Sequence, residues 1–221
     1  ITDLMNGSTD ITGWSTNANG SSFFSTCNAT SFFGGYPNFG REVYASKTYT
    51  GLPAHYQVTV MAQIVLIDSW DNETFYMNVD NTTAFEKTWD WMKGQIDYCG
   101  NKSWLEPWWD YIGVVTSDPV AHTASSLVLN FTSGLSGTGE EESWGFNEVQ
   151  IIIDLCDPAC SACTGPSNTN CSSCNSGWYL EGTTCNTTCS LPGKYANSTT
   201  NKCEGIKHDS FSWINIFKYS M

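Results

Sequence analysis

Eight of the ten cysteines fall between Cys156 and Cys203, in the order Cys156, Cys160, Cys163, Cys171, Cys174, Cys185, Cys189 and Cys203. A stretch of 48 residues this poor in aliphatic side chains cannot bury enough apolar surface to fold unaided. Covalent cross-links that restrict the unfolded chain must make up the difference. The block therefore reads as a small disulfide-rich module, residues 156–204. Only Cys27 and Cys99 precede it, in a segment rich in Trp, Phe, Tyr, Val and Ile that can carry a conventional core. Three regions are expected: a domain over 1–155, the module, and a tail over 205–221.

Two signals give the compartment. An even set of cysteines suits an oxidising environment. Asn-x-Ser/Thr glycosylation sequences occur at Asn6, Asn19, Asn28, Asn72, Asn81, Asn101, Asn130, Asn170, Asn186 and Asn197. The expectation is an extracellular protein, secreted or at the cell surface, carrying N-linked glycans. A net charge of −13 and a single arginine, Arg41, would repel phosphate backbones, which sets nucleic acid aside. No apolar run approaches the roughly 20 residues of a membrane-spanning helix.

Residues 1–35 are turn-rich around scattered aromatics and predict a short leading strand and long loops. Residues 42–49 alternate like an edge strand. His55 to Asp68 gives the clearest strand: Tyr56, Val58, Val60, Ala62, Ile64 and Leu66 share one face, and Gln57, Thr59, Met61, Gln63, Val65 and Ile67 the other. Residues 75–79 look like its return. Thr83 to Cys99 fits either a short helix or a twisted hairpin, and residues 100–122 read as loop. In 125–132, a glycan on Asn130 would face solvent and so turn Leu127, Leu129 and Phe131 to the core. Gly134 to Glu142 reads as an exposed acidic loop, and Val149, Ile151, Ile153 and Leu155 form the last strand. Strands, turns and no convincing helix predict an all-β fold: an antiparallel jelly-roll β-sandwich, then the disulfide-rich module, then a terminal strand.

The first domain resembles the galactose-binding-like β-sandwich that precedes cysteine-rich repeats in large extracellular proteins of ciliates and related protists. The resemblance covers about residues 10–155. It rests on Gly34-Gly35-Tyr36 with Phe39-Gly40, residues 52–56 (Leu-Pro-Ala-His-Tyr), 67–73 (Ile-Asp-Ser-Trp-Asp-Asn-Glu), Cys99-Gly100, His122-Thr123, residues 131–133 and Glu142-Ser143-Trp144-Gly145. The block after Cys156 resembles the furin-like, growth-factor-receptor repeat: Cys-x3-Cys-x2-Cys, then Thr-Gly-Pro, Cys-x2-Cys and Gly-Trp-Tyr-Leu. Eight cysteines permit 105 pairings. The family's pairing implies Cys156 with Cys163, Cys160 with Cys171, Cys174 with Cys185 and Cys189 with Cys203, leaving Cys27 to Cys99.

Cys160-x2-Cys163 and Cys171-x2-Cys174 also have zinc-ribbon spacing, but the flanking cysteines and the oxidising compartment favour disulfides. Asp68, Asp71, Glu73 and Glu142 sit beside two Ser-Trp pairs on expected rim loops and offer the hard oxygens that calcium takes. His55, His122 and His208 supply no nucleophile with a base and an orienting acid, so no enzyme is expected. Ten tryptophans fit either sugar stacking or a filled core. The tail alternates, with Phe211, Trp213 and Phe217 on one face and Ile214 and Ile216 on the other, and such a strand needs a partner surface. The leading expectation is a structural glycoprotein that polymerises with copies of itself, head to tail through this strand, into a filament, appendage or surface coat. The alternative is a calcium-assisted carbohydrate-binding or adhesion module of a larger surface protein.

Overall fold

In the computed structural model the described residues are 1–3, 11–20, 23–101 and 108–206. The expected assembly strand, with Phe211, Trp213, Ile214, Ile216 and Phe217, lies outside them, as do Asn6 and His208. The chain divides into two compact units, one ending at Leu155 and one starting at Cys156.

The first unit is an antiparallel β-sandwich. One sheet holds β1 (Thr2–Asp3), β3 (Phe24–Cys27), β4 (Thr30–Gly34), β6 (His55–Asp68), β9 (Tyr111–Thr116), β10 (Val120–Ala121) and β12 (Glu142–Leu155). The long strands β6 and β12 pair at its centre, and β9 and β10 lie on the outer side of β6. The other sheet runs β2 (Trp14–Thr16), β5 (Tyr44–Thr50), β11 (Ser126–Ser133), β7 (Asp71–Val79) and β8 (Thr82–Asp90). From β5 onward the chain crosses repeatedly between the sheets, β7 with β8 and β9 with β10 staying together in one sheet each.

Period-two patterning explains how the layers meet. Val58, Val60, Ala62, Ile64 and Leu66 on β6 are fully buried, as are Leu127, Leu129 and Phe131 on β11. Each such aliphatic or aromatic side chain contributes about 1.5–3 kcal/mol through burial. The sheets interlock through aromatic contacts: Phe131 to Phe146 at 4.3 Å between centroids, and Phe75 to Trp144 at 5.5 Å. At the far end of β6 the second face is buried too. There Val65 and Ile67 pack with Phe32 and Cys27 under Tyr36, Tyr98, Cys99 and Ile112.

Several elements depart from the sequence expectations. Residues 24–34 form a hairpin, and β5 has β2 on its outer side and so is not an edge. The ambiguous stretch after Thr82 becomes edge strand β8, closed by a 3₁₀ turn at Trp91–Lys93 that Asp90 caps. Residues 111–116 form a strand because the outer edge of β6 offers a ladder to pair with. Residues 134–141 are a loop as expected, and β12 starts at Glu142, ahead of the expected start at Val149, with a bulge at Asn147 to Gln150 where Glu148 takes a φ of 51°.

The second unit is built from β13 (Cys160–Cys163) paired with β14 (Cys171–Cys174), and from a four-stranded sheet in the order β16 (Thr184–Asn186), β15 (Tyr179–Glu181), β18 (Lys202–Gly205) and β17 (Lys194–Asn197). Four disulfides thread it: Cys156–Cys163, Cys160–Cys171, Cys174–Cys185 and Cys189–Cys203. Cys27–Cys99 lies in the sandwich.

Candidate functional site: a cleft between two sheet edges

On one side of the sandwich the edge strand β8 faces the edge strand β9 of the other sheet. An open cleft of about 470 Å³ lies between them, lined by Thr83, Ala84, Phe85, Glu86, Thr116 and Asp118. The Asp118 N–H donates to the carbonyl of Ala84 at 3.2 Å and ties the two edges together. Register aims the side chains. Phe85 and Lys87 stand opposite the buried Met77 and Phe75, so both point to the inner face of β8. An inward-pointing lysine on an edge strand resists pairing with another chain.

Lys87 does not stay unsolvated without compensation. Its Nζ sits 4.1 Å from the Tyr111 ring centroid and 5.4 Å from that of Trp89, so two ring faces receive the ammonium. Burial pushes the Lys87 ammonium down from its ordinary pKa and pushes the Tyr111 phenol up. After Trp89, outside the lining of the cleft, come Trp91 and Trp109, both half-buried, 6.2 Å apart and inclined at 58°. Met92 and Ile96 beside them are exposed. Hydroxyls and carboxylates thus line one end of this side, and aromatic faces line the other.

The four carboxylates expected as calcium ligands separate into different environments. Glu142 is buried and accepts from the Ser136 N–H at 3.1 Å and from the Gly137 N–H. Glu73 joins it through Ser136, whose Oγ donates to Glu73 Oε1 at 3.3 Å. Burial raises the Glu142 pKa first, and Glu73 adds to the rise. Asp71 is exposed, and its N–H donates to Glu73 Oε2 at 2.6 Å. Asp68, although opposite Glu142 in the ladder, is fully buried and accepts the Asn101 N–H at 3.0 and 3.1 Å. Among the described residues, no three of the four gather their oxygens into one cluster. The reason is local: each buried carboxylate has backbone N–H groups as partners already.

Asp68 instead belongs with Asp110. Asp110 is buried and accepts three backbone N–H bonds, from Asp68 at 3.0 Å, Tyr98 at 2.7 Å and Cys99 at 2.9 Å. Desolvation raises Asp68 to about 7 and Asp110 to about 6, against the lowering effect of those N–H groups. Gly100 makes the wrap possible. Its φ is 85°, and a Cβ there would collide with the Asp68 carboxylate. Gly100→Ala is therefore expected to destabilise the sandwich by about 1–3 kcal/mol, read as a lowered denaturant midpoint with an unchanged slope.

The two Ser-Trp segments are neighbours across β6 and β12, and the Trp70 indole donates to the Ser143 carbonyl at 2.9 Å. Trp70 and Trp144 are fully buried, so these two tryptophans fill core. The five disulfides use every cysteine, which leaves no thiolate for a zinc ribbon. Asn19, Asn28, Asn72, Asn81 and Asn101 are exposed, and Asn130, Asn170, Asn186 and Asn197 half-buried. One grouping escaped the sequence reading altogether. His55 and His122, 67 residues apart, meet in the structure, and Asp80 lies beside them. Their sequence separation hides them, and only the pairing of β10 with β6 brings them together.

These features define an all-β protein: a two-sheet sandwich followed by a disulfide-rich unit. No known family profile and no curated protein matches the chain. Solved structures similar to it include the C-terminal CBM6 of LamC, a marine laminarinase from Zobellia galactanivorans, at 11% identity over 68% of this chain and 98% of that one, TM-score 0.38. Another is the carbohydrate-binding module CBM36 in complex with calcium and xylotriose, at 8% identity over 63% of this chain and 98% of that one, TM-score 0.35. A third is the EclA C-terminal domain, a sugar-binding protein, at 16% identity over 48% of this chain and 64% of that one, TM-score 0.33. At these scores, function has to be argued from this chain's own side chains.

Proposed function

We propose that the sandwich is a carbohydrate-binding module of a secreted, N-glycosylated protein, and that it holds its ligand along the cleft between β8 and β9. The observation that carries this reading is the polar lining of the cleft, Thr83, Glu86, Thr116 and Asp118, with the half-buried indoles of Trp91 and Trp109 past the far end of β8, outside that lining. Sugar rings present axial C–H faces that stack on aromatics and equatorial hydroxyls that need donors and acceptors. Stacking supplies the affinity, and the polar groups supply orientation.

Binding to a panel of polysaccharides and glycans is the test. Trp91→Ala and Trp109→Ala are each expected to weaken binding up to about tenfold, since an aromatic contact contributes about 0.5–1.5 kcal/mol. Neither residue belongs to the buried core cluster, so the fold should survive both changes. Unchanged affinity in both variants would remove the cleft as the site. A chelator arm decides the role of calcium. Binding that persists in EDTA needs no calcium, and binding that is lost shows that calcium takes part.

A further inference from the structure

We propose that His55 and His122 form a buried cation site between the two sheets, and that its occupant is a single proton. The two rings meet end to end. His55 Nε2 lies 2.7 Å from His122 Nδ1, the planes differ by only 14°, and the centroids are 4.9 Å apart. That centroid separation is the nitrogen contact plus one ring radius on each side, so the two nitrogens point straight at each other.

The outer nitrogens meet acceptors. His55 Nδ1 lies 2.5 Å from the Pro53 carbonyl oxygen, and His122 Nε2, which has no hydrogen-bond partner, lies at ion-pair distance, 3.2 Å, from Asp80 Oδ2. A carbonyl and a carboxylate accept and cannot donate. The Pro53 carbonyl therefore needs an N–H on His55 Nδ1. A neutral imidazole has one N–H only, so two neutral rings leave either two lone pairs facing each other at 2.7 Å or, with the His122 N–H turned toward His55, a bare His122 Nε2 lone pair 3.2 Å from the Asp80 carboxylate. His55 and His122 are 1% and 7% exposed, so water cannot relieve that repulsion. One further proton resolves it: the central contact becomes a hydrogen bond, and the resulting imidazolium faces the Asp80 carboxylate.

Geometry selects the proton over a metal ion. Two imidazoles on one zinc, each about 2.0–2.1 Å from the ion in a tetrahedral shell, hold their nitrogens farther apart than this contact. The elements packed against the pair carry few other charges. Asp80, from the turn between β7 and β8, touches His122, and its Oδ1 accepts the Val128 N–H at 2.9 Å. Asp154 of β12 is engaged by Gln57 of β6 at 2.7 Å. The proton thus links β6 and β10 of one sheet to a hairpin of the other, a few residues from Thr83 and Asp118 in the cleft.

Long-range ¹H–¹⁵N spectra of histidine-labelled protein at neutral pH test the inference directly. Three of the four ring nitrogens of His55 and His122 should carry protons. Two protonated and two lone-pair nitrogens would overturn it. So would uptake of one equivalent of Zn²⁺ at these rings with loss of the shared proton. Asp80→Asn, combined with Thr82→Val so that no new Asn-x-Thr sequence arises, offers His122 Nε2 a donor in place of a charge. The extra proton is then unnecessary, and the count should fall from three to two. A count that stays at three in the variant would show that Asp80 does not govern the site and overturn the assignment.

Discussion

Reduction of the disulfides is expected to unfold residues 156–206 outright while leaving the sandwich folded and weakened. Among the described residues of the second unit, the buried apolar side chains are Ala159 and the cysteines Cys160, Cys163, Cys171, Cys174, Cys185 and Cys203. Its core is therefore the sulfur atoms themselves. The four bridges span 7, 11, 11 and 14 residues, and each removes about 2–3 kcal/mol of chain entropy from the unfolded state. A unit of this size has a net stability of only about 3–7 kcal/mol, less than the bridges supply together. The sandwich differs in kind. Cys27–Cys99 spans 72 residues and contributes about 4 kcal/mol, against a net stability of about 8–20 kcal/mol for a domain of its length. Limited proteolysis with peptide mapping reads the outcome. Cleavage confined to the second unit after reduction is the expected pattern, and a protected second unit would show that some other interaction holds it.

That asymmetry also governs how far sequence reasoning could reach. β6 was readable because one face is uniformly apolar for the length of the strand, and the alternation in Leu127, Leu129 and Phe131 placed β11 equally well. β8 was not, because an edge strand carries mixed residues on both faces. Ala84, Phe85, Lys87 and Trp89 fit a helix as readily as a strand until Phe75 and Met77 supply the partners. β9 failed for the same reason, since what makes it a strand is the free edge of β6. The cysteine count left 105 pairings open, and only resemblance to a known repeat reduced them to one set. At the candidate site, the acids near the Ser-Trp pairs were visible as composition but their partners were not. Nothing local announces that Asp68 turns to Asn101 while Glu142, its ladder neighbour, turns to Ser136 and Gly137. The indole pair was hidden because Trp91 and Trp109 belong to segments without a period, and the histidine pair because its members lie on separate strands.

The stability of the sandwich is expected to rise as the pH is lowered from about 8 toward 5, with Asp68 and Asp110 as the cause. Both carboxyls bind protons more tightly in the folded chain than the ordinary aspartate value of 3.8, at about 7 and about 6. For a group shifted upward, the stabilising contribution is fully present below the unfolded value and is lost as pH rises through the folded one. The window for Asp68 therefore closes near pH 7 and that for Asp110 near pH 6. At about 1.4 kcal/mol per pH unit, the Asp68 shift alone would amount to about 4 kcal/mol, and solvent screening with mutual coupling of the two acids reduces this to about 2–3 kcal/mol. Denaturant midpoints measured across pH 5–8 should show the slope. The two conservative replacements should then act oppositely. Asp68→Asn keeps an oxygen for the Asn101 N–H and removes the buried charge, so it should flatten the profile at little cost. Asp110→Asn cannot keep its bonds. One Asp110 oxygen accepts from Asp68 and the other from Tyr98 and Cys99, so the new amide must face an N–H on one side. It should cost about 1–3 kcal/mol at every pH. A wild-type profile that falls steadily toward pH 5, unaltered by Asp68→Asn, would mean that other carboxylates dominate and that this pair titrates like solvent-exposed aspartates.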